Sequence, residues 1–77
     1  MEIAPPVLIK GPGFDLREIR SVPEAIEYLE GWPANARSPF WYLASNALHG
    51  AVDGSMQVEH AREAFEAFCK GAGVLLV

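Results

Sequence analysis

"SVPEAIEYLEGWPANARSPFWY", residues 21–42, is the stretch on which the fold turns, because it holds one whole helix, its stop, a corner and the start of the next helix. Ser21 and Glu24 have the spacing of a capping box, in which the serine oxygen accepts from the backbone of Glu24 while the glutamate reaches back. Pro23 is tolerated in that first turn. Val22, Ile26 and Leu29 then follow a 3.6-residue stripe, Glu24, Glu27 and Glu30 lie on the other side, and Gly31 with Pro33 ends the helix. Ser38 caps a second helix with Pro39 in its first position, where a missing N–H costs nothing. The two prolines bracket "ANARS" as a short corner whose aromatics can seal one end of a core.

Toward the C-terminus, Phe40, Leu43, Ala47 and Ala51 form the inner stripe expected of the second helix, and Gly50 sits where a left-handed cap is expected. "AVDGS", residues 51–55, reads as a turn. A third helix, capped by Ser55 or Asp53, repeats Val58, Ala61, Phe65, Phe68 and Ala72 at alternating three and four residues, so that face is core. Glu59, Arg62, Glu63, Glu66 and Lys70 form its polar face, and Gly71 and Gly73 stop it.

Toward the N-terminus, "VLIK" (7–10), the turn "GPG" (11–13) and "FDLREI" (14–19) read as a hairpin. The closing "VLLV" (74–77) is apolar on both faces and reads as a covered or central strand, which gives Val77 a structural role. The expected fold is α+β with the order β-β-α-α-α-β: an N-terminal hairpin and a C-terminal strand in one small sheet covered by helices. Residues 1–77 form a single small globular domain.

Composition sets bounds on function. A chain of 77 residues with 51% hydrophobic and 21% charged residues is globular rather than disordered, and it should fold to a surface of about 4,600 Å². One small core fits. Cys69 is alone, so neither a disulfide nor a cysteine-based zinc site staples that core, and burial against a second copy could supply the missing stabilisation. A lone thiol also suits a reducing compartment. The start "MEIAPPVLIK" has no basic leader, and no run of about 18 apolar residues occurs, so a soluble, cytoplasmic protein is expected.

Residue by residue, no catalytic, cofactor-binding or metal-ligating set emerges. His49 and His60 fall on different helices with no third ligand at a metal-site spacing. Cys69 and His60, nine residues apart on one helix, are separated by roughly 13 Å along its axis and cannot touch. Cys69 reads as a small buried hydrophobe, and Glu24, Glu27 and Glu30 read as a solvated face. "KGPGF" lacks the glycine and lysine pattern of a phosphate loop. Lys10, Arg17 and Arg20 gather on the hairpin, but Asp15 and Glu18 interleave with them and the net charge is −4, so nucleic acid is a poor partner. No helix joins a basic face to a broad apolar one, which argues against a membrane surface. Arg62, at the edge of the buried stripe, reads as a structural clamp, with a ligand-gripping arginine as the alternative.

The order of "SVPEAIEYLEGWP", "NALHG", "AREAF" and "GAGVLLV" resembles the small bacterial proteins, mostly alphaproteobacterial, grouped as domain of unknown function nine-eighty-two. The resemblance spans about residues 14 to 77 and rests on Ala25, Leu29, Trp32, Pro33, Ala47, Leu48, Gly50, Ala61, Arg62, Ala64 and Phe65. It implies stand-alone chains of this size with no established activity and no assigned catalytic residues. Phe68 and Cys69 depart from the small residues usual there, which bears on the packing of the third helix.

Two function classes follow. The first is a non-catalytic interaction or regulatory module, self-associating or bound to a protein partner. The second is a small-ligand binder or minor enzyme with a pocket near Arg62; a nucleic-acid-binding regulator ranks behind both. Successive helical side chains are about 100° apart, so Phe40, Trp41 and Tyr42 cannot all point inward. An outward Trp41 or Tyr42 beside Trp32 and Arg37 is the expected interaction surface.

Overall fold

The N-terminal strand is built by alternation: Ile3, Val7 and Ile9 are buried, Ala4, Pro5 and Pro6 are exposed, and Leu8 is half-buried. A computed structural model describes residues 2–10 and 15–76. In it β1 (Glu2–Lys10) pairs antiparallel with β2 (Leu16–Ser21), Val7 opposite Ile19 and Ile9 opposite Arg17. The ladder is irregular between Glu2 and Val7, the span holding Pro5 and Pro6, which have no N–H to give to it. The expected turn at 11–13, Phe14 and Val77 lie outside the described residues.

The expected C-terminal strand does not form, and the order among the described residues is β-β-α-α-α. Leu75 makes one isolated antiparallel bridge to Ile9, flanked by Lys10 N–H to the Val74 carbonyl at 2.9 Å and Leu76 N–H to the Leu8 carbonyl at 3.1 Å. The reason is local. The N–H groups of Val74 and Leu75 both turn back to the Cys69 carbonyl at 3.0 and 3.3 Å, so these donors are not free for a ladder. These residues lie along the second edge of β1 and are half-buried, so β1, not the tail, takes the middle position.

Because Leu8 and Lys10 turn their backbone groups to the tail, Val7 and Ile9 turn theirs to β2. Leu16, Glu18 and Arg20 therefore direct N–H and C=O groups to the open edge of β2. Glu24 Oε2 accepts from the Arg20 N–H at 3.4 Å, which blocks part of that edge and leaves a short, charged remainder.

Helix α1 (Val22–Glu30) starts with one half of the expected capping box: Glu24 N–H donates to Ser21 Oγ at 3.3 Å, while the Glu24 carboxylate reaches past Ser21 to the Arg20 N–H. Val22, Ala25 and Leu29 are buried and Ile26 packs against the core. Residues Ala34–Ala36 form a short 3-10 turn. Helix α2 (Pro39–Asp53) follows and ends at Gly54, whose φ of 87° needs glycine. Gly50 is thus inside the helix rather than at its cap. The inner stripe is also rotated from the expected one: Trp41, Ala44, Ala47, Leu48 and Ala51 are buried, whereas Phe40 and Leu43 are 53% and 60% exposed.

Helix α3 (Val58–Gly71) buries Ala61, Phe65, Phe68 and Cys69, while Ala72 lies exposed beyond its end. Its cap is Gln57 rather than Ser55 or Asp53; Asp53 Oδ1 instead accepts from Ser55 N–H at 2.9 Å in the preceding turn. The three helices and the inner face of the sheet close one apolar cluster. None of the described helices is long and apolar enough to cross a membrane.

Candidate interaction surface

The corner between α1 and α2 is organised by the way α1 ends. Gly31 keeps a right-handed φ of −75°, so no left-handed cap folds back over the last turn; the Gly31 and Trp32 N–H groups reach the Glu27 and Leu29 carbonyls, and side chains supply further donors. Trp41 Nε1–H donates to the Leu29 carbonyl at 2.9 Å, Arg37 Nη2 to the Glu30 carbonyl at 3.4 Å and Arg37 Nε to the Trp32 carbonyl at 3.2 Å. Trp32 Nε1–H closes the 3-10 turn by donating to the Ala36 carbonyl at 3.2 Å. The Arg37 cation also sits at the negative end of the α1 dipole and lies 4.1 Å from the centre of the Trp41 ring, a cation–π stack.

The four residues singled out in the sequence, Trp32, Arg37, Trp41 and Tyr42, are therefore brought together, but they do different things. Trp41 is 7% exposed, and Trp32 and Arg37 are half-buried; all three spend polar groups on the chain itself. Tyr42 is 53% exposed and stands edge-on to Trp41 with 5.0 Å between ring centres. It is the outward ring of the pair.

Two surface residues were missed by the sequence reading, Phe40 and Leu43. A signal for them existed, since Trp41, Ala44, Leu48 and Ala51 also follow a three-four-three spacing and offer a second possible inner stripe. Phe40 forms one wall of an open groove of about 330 Å³ whose other walls include Trp32, Ala36, Phe68, Gly71 and Ala72. Between Arg37 and Asp53 no Asp, Glu, Lys or Arg occurs, so the outer face of α2 carries Tyr42, Leu43, Asn46, His49 and Val52 without a formal charge.

Arg62 is held elsewhere. Its Nε donates to the Pro5 carbonyl at 2.8 Å and Nη1 pairs with Glu66 at 3.4 Å, with the side chain 19% exposed. The recess beside it, about 220 Å³, is walled by Glu2 and Glu59 as well as Arg62. Burial pushes the Cys69 thiol up to about 12, with the Glu66 carboxylate adding to the rise. Tyr28 is also raised, by burial first and the Cys69 charge second, against the lowering pull of Arg17. Asp53 is held below its ordinary value by hydrogen bonds from the Ser55 side chain and then its backbone. His49 and His60 are exposed, and among the described residues no three His, Cys, Asp or Glu gather into a cluster.

No curated protein and no solved structure matches the chain. A family model matches residues 5–76, and the chain belongs to the family described as Protein of unknown function (DUF982).

Proposed function

We propose that this chain is a non-catalytic interaction or regulatory module that acts in the bacterial cytoplasm and meets a protein partner through the outer face of α2, around Tyr42. One observation carries the reading. A surface helix presents exposed Phe40, Tyr42 and Leu43 with no charged neighbour on the helix, although its first turn is locked by Trp41 and Arg37 to the end of α1. Rigid aromatic anchors on a fixed platform suit binding, since little side-chain freedom is lost on contact.

The side chains best able to do chemistry have structural uses. Cys69 is buried with its thiol pushed up to about 12, where almost no thiolate forms near neutrality. Arg62 joins α3 to β1, and the Glu24 carboxylate accepts from the Arg20 N–H at the edge of β2. The lone reduced cysteine supports a cytoplasmic location.

The test is affinity capture of the tagged full chain from its own cells, run beside a Tyr42→Ser variant and read by mass spectrometry. At least one captured protein, a copy of the chain itself included, should depend on Tyr42. Identical recoveries from both baits would sink the reading.

A further inference from the structure

Resting on the reading of the α2 face as a contact surface, we infer that its partner is a second copy of this chain. The two copies lay their α2–α3 pairs face to face, Phe40 and Leu43 of each entering a shallow trough of small residues on α3 of the other. The trough and the knobs belong to one patch. Phe40 lines the same groove as Phe68, Gly71 and Ala72. Leu43 lies two turns before Gly50 on one flank of α2, and a Cβ at Gly50 would point at Met56, just ahead of α3; that flank looks toward α3. Both helices rise about 1.5 Å per residue, so Leu43 is level with Ala67 and Phe68.

On α3, Ala64, Ala67 and Gly71 run beside Phe68 at helical spacing. Ala64 is half-buried, and Ala67 and Gly71 are exposed. Bulky residues on one helix flank and small ones on the next make the patch self-complementary, as a twofold contact demands. Turning one copy about an axis parallel to the helices, between α2 and α3, brings Leu43 of one over Ala67 of the other. The same turn carries Phe40 to the groove beside Gly71.

Charge selects the occupant. Two copies, each with a net charge of −4, repel unless the faces that meet are free of charge. The outer face of α1 bears Glu27 and Glu30, with Glu24 at its edge, the far flank of α3 bears Glu59, Glu63 and Lys70, and the open edge of β2 bears Arg17, Glu18 and Arg20. Glu63 and Lys70 border the α2–α3 patch only at Ala67, which shares a recess with them; Phe40, Leu43, Ala64 and Gly71 carry no charge, whereas a basic partner would gain more on the acidic faces. A standard contact hides about 800 Å² per partner, about one-sixth of the 4907 Å² surface, which two adjoining helix flanks can supply.

The experiment is sedimentation of the full chain across micromolar concentrations, with circular dichroism to check each variant's fold. The wild type should show a reversible monomer–dimer equilibrium, and Glu27→Lys should leave it unchanged. Leu43→Asp and Ala67→Lys, each alone, should weaken the dimer at least tenfold. Mixed, they should form a heterodimer, because one Asp meets one Lys and the other Leu–Ala contact is native. A wild type that stays monomeric, a dimer indifferent to both variants, or a mixture that stays monomeric overturns the inference. A monomer whose captured proteins still depend on Tyr42 would overturn the second copy alone and leave the contact surface standing.

Discussion

The indole Nε1–H of Trp41 donates to the carbonyl oxygen of Leu29 at 2.9 Å, tying the first turn of α2 to the last turn of α1. This bond has the right position to set the rotation of α2: with Trp41 turned in, Leu43, two steps of about 100° round the helix, turns out, whereas Phe40 shares the side of Ala44, Ala47 and Ala51 and is exposed in the first turn. The Leu29 carbonyl keeps a second donor, the Trp32 N–H at 3.0 Å. Trp41→Phe, which keeps most of the ring but loses the N–H, is therefore expected to cost about 1 kcal/mol in urea unfolding. Trp41→Ala, which also empties a core position, should cost about 3–5 kcal/mol.

Arg37 cannot be replaced by another cation. Its two bonds to the Glu30 and Trp32 carbonyls use the planar guanidinium fork, and its stack on Trp41 uses the flat face. Arg37→Lys should lose nearly as much stability as Arg37→Ala, about 1 kcal/mol for this half-buried group. A double-mutant cycle with Trp41→Ala should return a coupling of about 0.5–1 kcal/mol. A lysine variant as stable as the wild type would reduce the role of Arg37 to its charge.

Arg62 joins parts of the chain that are far apart in sequence, since its Nε reaches the Pro5 carbonyl at 2.8 Å. Its ion pair with half-exposed Glu66 adds little. Arg62→Ala is expected to lower the melting temperature by roughly 4–8 °C, the equivalent of about 1 kcal/mol in a domain of this size. Glu66→Gln should move it far less. An unchanged melting temperature in Arg62→Ala would remove the clamp and restore a ligand role for the guanidinium.

Helix α1 was legible because local signals agree, a cap, an apolar stripe and a stop in order, and α3 from its stripe and stop, although its cap is Gln57 rather than Ser55 or Asp53. The phase of α2 was not. Phe40–Leu43–Ala47–Ala51 and Trp41–Ala44–Leu48–Ala51 both satisfy helical spacing, and the choice rests on a hydrogen bond twelve residues back along the chain. The closing "VLLV" misled for a related reason, since hydropathy cannot reveal that the Cys69 carbonyl takes two N–H groups of the tail. Of the candidate surface, the outward turn of one ring followed from the 100° step alone. The structural uses of Trp41 and Arg37 did not, because nothing local says that α1 ends without a left-handed cap.

Gly50 is required by space rather than by backbone conformation. A Cβ there would stand 3.1 Å from Met56 Cβ and 3.3 Å from Ser55 Oγ. Ser55 can rotate away, but Met56 cannot retreat easily, because its N–H and that of Ser55 both donate to the Gly50 carbonyl at 3.1 and 2.9 Å. Alanine in a helix interior ordinarily gains about 0.5–1 kcal/mol over glycine. Gly50→Ala should nonetheless lower stability in urea unfolding, and a gain would show that the α2–α3 turn yields.

The Cys69 thiol gives the fold an alkaline limit with a definite sign. Its value rises from 9.0 to about 12 on folding, by burial first and Glu66 second, so the folded state keeps the proton that the unfolded chain releases. Below pH 9 both states hold it, and stability does not depend on this group. Between pH 9 and about 12 the unfolded chain ionises first, and stability should fall by at most about 1.4 kcal/mol per pH unit. Tyr28, also raised by burial, acts in the same direction above its ordinary value of 10.0. Urea midpoints of the wild type and of Cys69→Ala, followed from neutral pH upward, separate the two groups. The alanine variant should start lower, for the packing it loses, and decline less steeply. Equal slopes would mean that the thiol titrates on folding no differently from an exposed one.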